Sequence, residues 1–103
     1  MKYEWYEIYP GRIIKIHFVP KHSNYLVIGK YKGKKVYRDG VYTMGAKVAF
    51  VRNDLEGEEL VETIRHELLH AFDAWKDLRM TEKQVAALEK LNIAFPKVRG
   101  GNK

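Results

Sequence analysis

Residues 57–76 read GEELVETIRHELLHAFDAWK, and their period divides the chain in two. Leu60, Ile64, Leu68, Ala71, Phe72 and Trp75 recur three or four residues apart, which sets them on one face of an α-helix. Glu56, Glu58 and Glu59 suit the positive end of that helix, and Asn53 or Asp54 stands where a cap is expected. Upstream the period is two. From Arg12 to Val19, RIIKIHFV sets Ile14, Ile16 and Phe18 on one face and Lys15 and His17 on the other, as in a half-buried strand ended by Pro20.

Between them, YLVIGK, YKGKK and VYRDGVYT read as short strands and turns, with Asp39-Gly40 as a hairpin-turn candidate, and AKVAFV (46–51) as one more strand. After the long helix, KDLRM breaks the period, and Thr81 with Gln84 forms a capping box that opens a second helix through Val85, Leu88 and Leu91. The expected fold is α+β: a small, mostly antiparallel sheet followed by a long helix and a second helix that carries Glu82 and Glu89, both packed on one face of the sheet.

The chain has 103 residues, enough for one core, so residues 1–95 are read as a single domain and 96–103 as a tail. A content of 46% hydrophobic and 13% aromatic residues excludes disorder for most of it. Apolar runs are too short to cross a bilayer, and MKYEWYEIYP carries glutamates where a signal peptide is apolar, so a cytoplasmic protein without membrane contact is expected. Cysteine is absent, which removes disulfides, thiolate ligands and thiol nucleophiles. The net charge of +6 is uneven: residues 12–52 carry ten Lys or Arg against one Asp, and residues 53–77 carry two against eight acidic. The acidic stretch is the helix, so net charge says little about a partner.

That helix holds His66, Glu67 and His70 in HExxH spacing. Histidines four apart stack on one helix face, roughly 5–6 Å between Cβ atoms, so both imidazoles reach one Zn²⁺ ion at about 2.0–2.1 Å. Glu67 points about 100° around the helix, toward a water on the ion, where a carboxylate serves as general base. Asp73, one turn beyond His70, is read as a carboxylate supporting an imidazole or as an alternative ligand.

The segment TIRHELLHAF, with Thr63, Ile64, Ala71 and Phe72 flanking the histidines, resembles the active-site helix of zincin metallopeptidases. No histidine follows His70, and Lys76 stands where metzincins carry their third ligand, so a carboxylate is needed. LRMTEKQVAAL resembles the glutamate-bearing helix of gluzincins, and the short chain resembles the minigluzincins, minimal soluble peptidases of thermophilic prokaryotes. The specific likeness covers roughly residues 60–88. It implies a zinc metallopeptidase with His66, His70 and Glu82 as ligands and Glu67 as base. Glu89, two turns after Glu82, is the other candidate ligand, and Ala86 departs from the family by standing where many gluzincins carry an aspartate. The resemblance also implies latency through the tail PKVRGGNK.

In zincins the edge strand of the sheet pairs with extended substrate, and AKVAFV is the segment read into that place, with an ordinary core strand as the other reading. GKYKGKKVYR is read as a solvated, lysine-rich hairpin, and His17 and His22 as solvated. The expected partner is a peptide or protein substrate, with no nucleic acid, for a monomer or weak homo-oligomer. The alternative function is a non-catalytic, zinc-containing module that binds nucleic acid or protein through a basic sheet face. One Gln, no Cys and many Lys, Arg and Glu fit a thermophilic source.

Overall fold

A computed structural model describes residues 2–43, 45, 47–91 and 95–98 of the chain. Its strands are β1 (Lys2–Tyr9), β2 (Arg12–Val19), β3 (Val27–Tyr31), β4 (Lys34–Tyr37), β5 (Gly40–Thr43), β6 (Val48–Arg52) and β7 (Lys97–Val98). The helices are α1 (Gly57–Lys76) and α2 (Glu82–Glu89), and one 3-10 turn, Asn24–Leu26, precedes β3. The result is an α+β fold with a mostly antiparallel sheet and two helices.

The five-stranded sheet runs β5-β6-β2-β1-β7, antiparallel except for the β2–β6 pair. The alternation along β2 sorts as its sequence dictates: Ile14, Ile16 and Phe18 are buried. They meet Ala49 and Val51 of β6 and Ile64, Leu68 and Ala71 of α1, so the core lies between sheet and long helix. Fully burying a large aliphatic side chain contributes roughly 1.5–3 kcal/mol, and Ile14, Ile16, Val51 and Leu68 are among those that hold α1 against the sheet. No described helix is long and apolar enough to cross a membrane.

The helix bounds follow the period, but the cap does not follow the expectation. Glu56 is the N-cap without a side-chain hydrogen bond, and Asp54 is held by Arg52 at 2.7 Å instead. Asp39-Gly40 is likewise not a hairpin turn. Residues 34–37 pair back onto 27–31, so the turn is Lys32-Gly33, both left-handed at φ 50° and 78°. Asp39 instead links that hairpin to the main sheet, and Gly40 begins β5.

AKVAFV does not form an edge. β6 lies between β2 and β5 and spends its hydrogen bonds on both, which leaves β5 as the edge strand. β1 extends the sheet on the other side through KYEWYEIY, which is half-buried along most of its length, with Ile8 buried. Lys97 and Val98 of the tail pair with Trp5 and Tyr6 of β1, at the sheet edge opposite β5, and Lys97 Nζ reaches Glu4 at 2.7 Å. The rest of the tail, 99–103, lies outside the described residues.

The helix-free face of the sheet carries a row of rings in cross-strand register. Tyr3, His17 and Phe50 are direct neighbours, and Tyr25 from the 3-10 turn stacks on Phe50 at 4.3 Å. His17 is therefore not simply solvated: its Nε2 is shielded and finds no hydrogen-bond partner among the described residues. Burial, with the nearby Lys15 charge, holds its pKa below the usual histidine value.

Candidate metal centre

The 3.6-residue period of α1 sets His66 and His70 one above the other on the face turned toward α2, with Nε2 atoms 2.9 Å apart. The loop between the helices brings α2 back over them. Asp77 and Arg79 adopt left-handed conformations there, and Asp73 Oδ1 accepts the Met80 N–H at 3.0 Å. Thr81 and Gln84 close a reciprocal capping box, with the Gln84 N–H donating to Thr81 Oγ1 at 3.2 Å and the Thr81 N–H to Gln84 Oε1 at 2.9 Å. Glu82 is thereby fixed as the first residue of α2. Its Oε1 lies 3.1 Å from His70 Nε2 and its Oε2 lies 3.5 Å from His66 Nε2.

His66, His70 and Glu82 thus form a group that could hold a metal ion, with one ligand atom of each within 4.8 Å of the others. Tetrahedral donors at 2.0–2.1 Å from a zinc ion stand about 3.3 Å apart, and the three separations bracket that value. The chemistry of the donors also fits. Burial holds His70 below the ordinary histidine pKa, and the His66 charge pushes the same way, so its ring is favoured in the neutral form that ligates. Glu82 is largely solvent-facing, so the group lies at the protein surface.

The other acidic residues of this region take different places. Glu89 Oε2 lies 3.0 Å from His66 Nδ1, the ring nitrogen not directed at His70, so Glu89 stands behind the ligand. Asp73 spends its carboxylate on the interhelix loop. Asp77 is the left-handed C-cap of α1, and its carboxylate pairs with Arg79 at 3.4 Å.

Glu67 is the one buried charged residue among those described, 5% exposed. Burial pushes its carboxyl up to about 7; Glu82 and Glu89 add to the rise, while His66 and Arg38 oppose it. A carboxyl poised near neutrality can take a proton and return it. Two open cavities of about 430 and 440 Å³ lie on either side of Glu67, one reaching His70 and Glu82, the other His66 and Glu89.

Two residues of this site escape the sequence reading. Gly40 looks like a turn glycine, yet a Cβ there would sit 2.9 Å from Thr63 Cγ2 and 3.0 Å from Glu67 Cγ. Its lack of a side chain is what lets β5 pass directly beside Glu67. Arg38 belongs to a basic run that reads as solvated, and only the tertiary fold turns it toward the cleft. Compared with protein-family models, curated proteins and solved structures, the chain matches none of them, so the reading of the site rests on its own geometry.

Proposed function

We propose that this protein is a zinc-dependent metallopeptidase of gluzincin type. One observation carries the reading: two histidines a turn apart and a glutamate from a second helix converge on one point, and a buried carboxyl occupies the position after the first histidine. A purely structural zinc site has no use for such a carboxyl, and burying it unpaired is costly.

Zinc bound by His66, His70 and Glu82 supplies Lewis acidity to water and substrate. The chain's own residues do the rest. Glu67 takes a proton from the attacking water and later delivers it to the amide nitrogen as the C–N bond breaks. β5, the edge strand beside Glu67, offers its free backbone to an extended peptide. Latency through the tail, residues 96–103, belongs to this reading as well, and Lys97 and Val98 of that tail pair with β1.

The test is zinc content and hydrolysis of a fluorogenic peptide by the full chain and by Glu67→Gln. One zinc per chain in both proteins, with hydrolysis at least about 10²-fold slower in the variant, supports the reading. Equal hydrolysis, or a wild-type chain that takes up no zinc, overturns it.

A further inference from the structure

Arg38, Gly40 and Glu67 are common to both cavities and form the saddle between them. A peptide spanning the two cavities carries its reacting bond over this saddle. Glu67 is the proton carrier there and Gly40 has only backbone to offer. The other cation on the cleft wall, Arg79, is exposed like Arg38 but is paired with Asp77. Among the described residues, Arg38 is thus the only cation facing both cavities.

Its backbone is pinned. The Arg38 N–H donates to the Leu26 carbonyl at 2.9 Å, and the next residue, Asp39, accepts from Arg52 through its carbonyl at 2.9 Å and its carboxylate at 2.7 Å. The guanidinium itself engages no hydrogen bond or ion pair among the described residues, although its charge reaches both Glu67 and His70. A cation on the wall of both cavities that is left without a partner is available to charge that develops during reaction.

We propose that Arg38 is a catalytic residue: its guanidinium donates to the carbonyl oxygen of the scissile amide and stabilises the negative charge which that oxygen acquires. The inference rests on the peptidase reading above. As the water oxygen bonds to the carbonyl carbon, an O–H bond breaks and its proton goes to Glu67, while the C=O π pair moves onto the oxygen facing Arg38. When that pair returns, the C–N bond breaks and the Glu67 proton passes to nitrogen. Arg38 keeps its protons throughout.

The test uses the zinc-loaded full chain as wild type, Arg38→Lys and Arg38→Gln. Each is assayed on an uncharged fluorogenic peptide and titrated calorimetrically with a phosphinic peptide, whose tetrahedral phosphorus mimics the reacting carbon, and with the product peptide. Arg38→Gln is expected to lower kcat about 10²–10³-fold with KM within about threefold. Its affinity for the phosphinic peptide falls by a similar factor, while product binding, zinc content and melting temperature hold. An unchanged kcat with raised KM, or unchanged phosphinic-peptide affinity, overturns the proposal. A wild type no faster than Glu67→Gln overturns the peptidase reading and this one with it. Should Arg38→Gln unfold, Arg38→Met, which keeps the stem and removes the charge, is expected to give the same losses and carries the same readouts.

Discussion

Glu89 Oε2 lies 3.0 Å from His66 Nδ1, so the last residue of α2 holds one ring nitrogen of His66 while the other turns to His70 and Glu82. A carboxylate behind a ligating imidazole fixes its orientation and raises its basicity. Ala86, one turn earlier in α2, has no polar side chain to do this. The same helix therefore contributes a donor at its first residue and a clamp at its last.

Replacing Glu89 by Gln is expected to weaken zinc binding about 10–100-fold without altering helix content. Competition against a chromophoric chelator measures the first and far-ultraviolet circular dichroism the second. An unchanged zinc affinity would sink the clamp.

Thr81→Ala removes the capping box that fixes Glu82 at the start of α2. The cost to stability is about 1 kcal/mol, and fraying of that turn also loosens the third donor. The melting-temperature gap to wild type should widen when zinc is added, since the tighter binder gains more from the ion. A gap that closes with zinc contradicts this.

Gly40→Ala drives a Cβ to 2.9–3.0 Å from Thr63 and Glu67. Pushing β5 off α1 is expected to cost about 1–3 kcal/mol and to slow hydrolysis, because the cleft floor moves with the strand. Thermal melts and peptide assays of the same preparation check both effects.

Ile16 and Ile13 lie on opposite faces of β2, the first fully buried and the second 38% exposed. Ile16→Ala should cost about 2–5 kcal/mol and Ile13→Ala under about 1 kcal/mol in urea unfolding. Similar costs at the two positions would mean that the burial pattern of β2 is misassigned.

The folded-state pKa of His17 is held below the usual value of about 6.5. The unfolded chain therefore binds a proton that the folded chain does not, and stability falls as pH drops below about 6.5. In the metal-free protein, His17→Phe should flatten that part of the pH dependence, leaving whatever His66 and His70 contribute. Urea midpoints at pH 5 and 7.5 for both chains give the comparison, and identical shifts would contradict it.

Local regularities were legible from residues alone. The two-residue period of 12–19 and the 3.6-residue period of 57–76 mark β2 and α1 at the bounds they adopt, and the capping box opens α2. HExxH brings His66 and His70 together because four residues make just over one helical turn. What the sequence left open is nonlocal. Glu82, Glu89 and Asp73 were all available carboxylates, and their separate roles depend on how the interhelix loop folds.

AKVAFV and Asp39-Gly40 have the same local signals as an edge strand and a hairpin turn, yet pairing with β2 and β5 makes the first a central strand and the second a link between sheets. The short-range periods of this chain thus determined its helices, its central strand and its histidine pair. Only the tertiary structure decided which carboxylate faces which imidazole nitrogen, which strand lies free beside Glu67, and that Arg38 looks into the cleft, because each is set by residues far apart in sequence packing against one another.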